Sequence, residues 1–191
     1  LCAGGTADFL IRPNTIEALA ELIRRCRQID TPLRIMGEGA NLLVDDDGVP
    51  GIVVRLDQKP FKSIETNVDG NVELVRVGAG ADLSRTLMTL SRTGLAGLEP
   101  LMGVPASIGG AIRMNAGWRM GEVGAITLSI EAILPGGAVA EGGGPTSLSL
   151  ETLSVSPLVL RCRALCSCPL LLRLRCCRRC RSICSRPPLR S

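Results

Sequence analysis

The run GLAGLEPLMGVPASIGGAIRMNAG, residues 94–117, decides the fold. Gly103, Pro105 and the adjacent Gly109 and Gly110 predict a tight turn leading into a short helix, one whose N-terminus can face a phosphate. A second glycine-rich segment lies upstream: MGEGANLLV, residues 36–44, directly after a short apolar strand. Small residues at Gly37, Gly39 and Ala40 let consecutive backbone N–H groups converge on an anion such as a pyrophosphate. Taken singly, either segment reads first as a chain reversal. Neither is the usual dinucleotide fingerprint, because Gly37-x-Gly39 and Gly78-x-Gly80 are each followed by leucine where the third glycine belongs. A nicotinamide Rossmann domain is therefore not expected, and the missing Gly-Lys-Ser/Thr excludes a P-loop. The chain has no histidine, which removes the commonest general base and the usual catalytic triads.

Outward from these segments, period and punctuation predict alternating elements. Residues 7–12 form an apolar strand closed by Pro13, and Asn14 with Glu17 reads as the capped start of a helix. Ile16, Leu19, Ala20, Ile23 and Cys26 follow at helical spacing, opposite Arg24, Arg25 and Arg27. Residues 33–36 and 51–56 are strands, and the loop between them is long enough to be functional. Residues 61–66 and 72–77 pair as a hairpin. Asp82 caps a helix through Arg92, with Leu83, Leu87 and Leu90 inward and Gly94 as its stop. A further hairpin joins 127–134 to 138–141 around Pro135, Gly136 and Gly137. This mixture of strands and few helices is an α+β fold.

Composition divides the chain in two. Residues 1–141 hold 13 Lys+Arg against 17 Asp+Glu, while residues 142–191 hold 9 Arg and a single acid, Glu151. Only Cys2 and Cys26 lie in the first part, and seven cysteines fall from Cys162 to Cys184. Two separated cysteines in an acidic domain predict a reducing, cytoplasmic setting. Leu1 is not an initiator, so the true start is expected upstream, and no apolar run reaches the ~20 residues of a spanning helix. Past Glu141 the chain is largely Leu, Ser, Arg, Cys and Pro, without aromatics or a sustained period. The expected organisation is thus a first lobe over 1–60, a second over 61–141 and an irregular tail over 142–191 outside the fold.

In this order, residues 7–13, 37–44, 51–56, 77–80, 94–99 and 103–122 resemble the motifs of the UDP-N-acetylenolpyruvoylglucosamine reductases, over roughly residues 3–141. That resemblance implies a two-lobed FAD-binding fold of the vanillyl-alcohol-oxidase, PCMH type. It implies NADPH as reductant, and UDP-N-acetylglucosamine enolpyruvate as a substrate reduced to UDP-N-acetylmuramate for peptidoglycan. By motif, Gly37, Gly39, Ala40, Asn41 and Leu42 would hold the pyrophosphate. Gly103, Pro105, Ala106, Ser107, Gly109 and Gly110 would line the other side of the cofactor, with Asn115 and Gly117 near the flavin or substrate. Leu98, Ile108, Ile112 and Met114 are assigned to the core, and Glu38, Asp45, Asp46 and Asp47 to solvated loop charge rather than a metal site.

The chain departs from the family at the catalytic machinery. It has no tyrosine, hence no tyrosine-arginine-x-serine motif, and Trp118, Arg119 and Met120 stand where the family has alanine-tyrosine-glycine. The serine, the glutamate and the substrate domain expected to follow are absent, so no catalytic residue is assigned. A flavin-binding module without turnover, or another FAD-linked oxidase of the same fold, stays open. Three readings account for the tail: a shifted frame past Glu141, a zinc site using Cys177 and Cys180, or an arginine-rich arm for nucleic acid or acidic membrane. The shifted frame is preferred, because it explains the changed composition and the lost motifs together; neither a nucleic-acid nor a membrane partner is expected.

Overall fold

The computed structural model describes residues 4–68, 71–119, 121–143, 154–161 and 163–164. Strand β1 (Ala7–Ile11) leads into helix α1 (Ile16–Gln28), followed by β2 (Leu33–Met36) and β3 (Val49–Arg55). These strands form a sheet ordered β1-β3-β2, and both pairings are parallel. The cap of α1 is Thr15, not Asn14: its Oγ1 accepts the Ala18 N–H at 3.1 Å. Both residues suit a cap, and the extended backbone at Thr15 selects it. Leu19, Ile23 and Cys26 are buried along one face of α1, while Glu21 on the outer face binds Arg24 and Arg25.

Residues Lys59–Lys62 form a 3₁₀ turn rather than the start of a strand, and put Phe61 fully into the core. Then come β4 (Ile64–Val68), β5 (Asn71–Val77) and α2 (Leu83–Arg92), capped as expected by Asp82, which accepts the Arg85 N–H at 2.7 Å. Gly94, at φ +80, ends α2, a left-handed conformation that glycine adopts without penalty. The short strand β6 (Leu95–Ala96) precedes α3 (Ile108–Arg113), β7 (Gly117–Trp118), β8 (Gly121–Glu122) and α4 (Val123–Ile126). The hairpin β9 (Thr127–Ile133) and β10 (Val139–Gly143) closes through the Leu134 N–H on the Ala138 carbonyl.

Within residues 142–191, the described stretches 154–161 and 163–164 depart from the expectation of a segment outside the fold. Residues Ser154–Arg161 form strand β11, and Arg163–Ala164 form β12 against β6. The second sheet runs β10-β9-β11-β5-β4, so β11 lies inside it, antiparallel to both neighbours. Pro157 falls in the register break between Val155 and Leu158, the kind of position where a residue without an N–H is tolerated in a sheet. Pattern reading misses the strand because it lacks sustained alternation and contains a proline. Its place is set by partners more than twenty residues away on one side and about eighty on the other. The proposed zinc cysteines, Cys177 and Cys180, lie outside the described residues.

One core joins the layers: Leu19 and Val54 from the parallel sheet, Phe61, Leu83 and Leu90, Ile108 and Ile112, and Ile130 and Ile133. Burying each such side chain stabilises by about 1.5–3 kcal/mol. Leu98, Ile108 and Ile112 are in this core as expected, but Met114 is 58% exposed. It stands at the end of α3, one residue past the last helical turn, where the chain leaves the helix axis.

Candidate functional site

A groove of about 1250 Å³ runs along the parallel sheet, from Thr6, Leu33 and Val49 at the strand starts to Met36, Arg55 and Leu56 at the exits of β2 and β3. Met36, Gly37, Glu38, Leu42, Leu43 and Val44 form one wall, from the end of β2 into the loop beyond it. Val53, Arg55, Leu56 and Asp57 come from β3 and its exit. Ala79, Gly80, Ser107, Gly109, Gly110 and Arg113 complete the side toward α3. The carboxyl ends of parallel strands are the usual ligand position in α/β sheets, because the loops there diverge and leave a crevice.

The glycines have specific work. A Cβ on Gly37 would meet the Ser107 hydroxyl, so the two glycine-rich loops touch only because one lacks a side chain. A Cβ on Gly80 would strike the Leu56 carbonyl oxygen, and one on Gly109 would come within 3.0 Å of the Ala79 methyl. Residues 77–81 therefore thread between the exit of β3 and the start of α3 at backbone distance.

The two loops differ in their spare hydrogen-bonding capacity. In α3 the first donors are already engaged: Ile108 N–H on the Ala81 carbonyl at 2.9 Å, Gly109 N–H on Ala79 at 2.8 Å, and Gly110 N–H on the Ser107 Oγ at 3.3 Å. The expected phosphate-facing N-terminus of α3 is thus spent on bracing the wall, since each N–H has one proton to give. Across residues 38–44 the described hydrogen bonds engage no backbone N–H beyond the loop's own turn at Ala40 and Asn41. The loop is largely exposed, with Leu43 at 90%.

Of the residues expected from sequence, Gly37, Leu42, Ser107, Gly109 and Gly110 line the groove together. Gly39, Ala40 and Asn41 belong to the same exposed loop without lining it. Gly103, Pro105, Ala106, Asn115 and Gly117 are also outside the lining. In the structure Gly103 takes φ +83, and the Ala106 carbonyl accepts the Leu83 N–H at 2.9 Å. Asn115 Oδ1 accepts the Gly124 N–H at 3.1 Å, and Gly117 lies against Gly121 and Glu122. Sequence reading passed over Ala79, Gly80, Arg55, Asp57 and Arg113. The Gly78-Ala79-Gly80 run was the visible signal for the first two, whereas nothing local marks the others.

Charge across the strand ends is arranged in a chain. Arg12 Nε lies 3.3 Å from Asp57 Oδ2, Arg55 Nε 3.9 Å from the same oxygen, and Arg55 Nη2 3.5 Å from Glu38 Oε2. The Gln58 amide, donating to Asp57 at 2.9 Å, holds that carboxyl below its usual range, with the Arg12 and Arg55 charges adding to it. Asp45, Asp46 and Asp47 are exposed, and Asp45 Oδ1 accepts the Asp47 N–H at 3.1 Å within the loop.

Fold and groove together define a flavin-domain architecture, and residues 7–143 match the FAD binding domain family, to which the chain belongs. Among characterised relatives it is similar to the UDP-N-acetylenolpyruvoylglucosamine reductase of Anaeromyxobacter sp. (strain Fw109-5), with 42% identity over 141 residues. That match takes in 74% of this chain and 41% of the relative, so the chain spans less than half of the relative's length. The solved reductase of Thermus caldophilus superposes with a TM-score of 0.67 at 32% identity, covering 81% of this chain and 55% of that one. A cholesterol oxidase from Brevibacterium sterolicum gives a TM-score of 0.66 at 21% identity over 80% of this chain and 34% of that one, a likeness of fold alone. No helix among the described residues is long and apolar enough to cross a membrane.

Proposed function

We propose that this chain is the flavin-holding part of a reductase that uses NADPH and FAD to reduce UDP-N-acetylglucosamine enolpyruvate to UDP-N-acetylmuramate. The observation that carries the reading is the exposed glycine-rich loop over residues 38–44 at the exit of β2, where the described residues show no backbone N–H engaged beyond the loop's own turn. The groove suits an elongated dinucleotide: it is large, and its walls pair apolar Leu42, Val53 and Leu56 with a donor-rich loop. Backbone N–H groups of Gly39, Ala40, Asn41 and Leu42 would hold the diphosphate, with Gly37 keeping the loop against Ser107. Ser107, Gly109 and Gly110 would form the facing wall, while Gly103, Pro105, Ala106, Asn115 and Gly117 would support it from behind.

Bound FAD would supply the hydride relay from reduced nicotinamide to an electron-poor double bond. The residues of this chain bind, orient and exclude water; the chain contains no tyrosine-arginine-x-serine motif from which a proton donor could be assigned. In this proposal residues 1–60 and 61–141 act as two lobes around the cofactor, in the cytoplasm, where the nucleotide-sugar substrate is taken up. Titrating the full chain with FAD tests the reading: quenched flavin fluorescence, reversed by excess ADP, is expected. A folded chain that leaves FAD fluorescence unchanged would refute it. Adding NADPH and the enolpyruvyl substrate to the FAD-loaded chain is expected to give no turnover, because that motif is missing.

A further inference from the structure

Glu38 is the one charged group inside the anion-accepting loop, between Gly37 and Gly39. Its carboxylate carries the same sign as any phosphate the loop would hold, yet it lines the groove. Arg55 lies across from it at the end of β3, its side chain 34% exposed, with Nη2 3.5 Å from Glu38 Oε2. Arg55 is itself held from behind by Asp57, which Arg12 in turn engages at the exit of β1. The exits of the parallel strands are thus tied by one alternating chain of charge, and Glu38 is its free end over the groove.

From this arrangement the geometry points to Arg55 as a positioning residue that sets the loop's affinity for a diphosphate by neutralising and holding Glu38, without itself touching the ligand. The inference rests on the flavin reading above and adds a determinant of specificity. With the pair intact the loop presents its N–H donors against a locally neutral background. Without Arg55 the carboxylate stands uncompensated beside a doubly charged ligand; without Glu38 the loop gains net positive character. Both effects are coulombic and near the surface, so salt screens them, the Debye length being about 10 Å at 0.1 M and about 3 Å at 1 M.

The test measures FAD affinity of the full chain and of E38Q, R55Q and E38Q/R55Q at low and high ionic strength, with folding checked by thermal melting. At low salt E38Q is expected to tighten FAD about three- to tenfold and R55Q to weaken it by a similar factor, as expected of one charge in a surface dielectric. The double variant is expected to return to within about twofold of the unsubstituted chain, and all differences to shrink near 1 M salt. A purely structural role for the pair predicts loss in both single variants and no salt dependence. The inference is overturned if E38Q leaves affinity unchanged or weaker. It is overturned equally if R55Q costs as much with E38Q as without it, because Arg55 would then contact the ligand directly. If the unsubstituted folded chain does not bind FAD, the flavin reading falls and this inference with it. E38Q alters an exposed loop side chain, so the decisive variant does not depend on how well R55Q folds.

Discussion

Replacing Gly37 with alanine places a methyl group against the Ser107 hydroxyl, closer than van der Waals contact allows. Gly37 is not among the residues with positive φ, so its backbone accepts alanine, and the cost is one of space. The hydroxyl can escape by rotating, since Ser107 Cβ stands at an ordinary 3.5 Å from the new methyl. Rotation, however, gives up the bond from the Gly110 N–H at 3.3 Å that caps α3. G37A should therefore cost what the cap is worth, about 1 kcal/mol for a long bond of this type. S107A alone loses the same bond and the same energy. In the double variant the space is already free and the cap already gone, so the total is expected to stay near ~1 kcal/mol rather than ~2. The gain from a stiffer unfolded chain, roughly 0.4–1 kcal/mol for Gly→Ala, lowers the totals of G37A and the double variant alike, so only the coupling of about 1 kcal/mol is free of it. Urea unfolding of the four proteins measures the coupling, and thermal melts should show it as about 2–4 °C. Costs that simply add would refute the contact between the two loops and with it the geometry of the site.

Two further outcomes follow from neighbouring features. G80A drives a Cβ onto the Leu56 carbonyl, which is backbone and cannot turn away, so a loss of about 3 kcal/mol is expected in urea unfolding. G136A meets nothing within 4 Å and should stay within about 0.5 kcal/mol; equal costs at the two positions would contradict the threading of residues 77–81. Glu21, held down to about 2 first by its hydrogen bond from Arg24 and then by that from Arg25, makes acid stability testable. Because its folded value lies below the ordinary 4.5, its contribution is complete above that pH and is lost as pH falls toward 2. The melting difference between the unsubstituted chain and E21Q should shrink across that window. A difference that persists undiminished at pH 2 would remove the ion pairs from the account of α1.

The match to the FAD binding domain family over residues 7–143 agrees with a reading made from motif order alone. Order carried the inference because each motif by itself has a simpler explanation as a turn. Where a motif's function depends on which donors remain unused, order was insufficient. The start of α3 looks like a phosphate site in sequence, yet the carbonyls of Ala79 and Ala81 occupy its N–H groups.

By itself the sequence determined what depends on neighbours in the chain. It specified α1 through apolar spacing, α2 through Asp82 and Gly94, the β9–β10 hairpin through its turn, and the glycine-rich loop through small residues after β2. Those signals are local because periodicity, capping and turn chemistry act over a few residues. Only the tertiary structure decided which donors stay free, which glycines are pressed against another segment's backbone, and which charges meet across the strand ends. Arg12 at the exit of β1, Glu38 at that of β2, and Arg55 with Asp57 at that of β3 meet only because the three strands run in parallel. Strand β11 is the clearest case, since a stretch with no pattern of its own becomes a strand where β9 and β5 both leave backbone groups to pair.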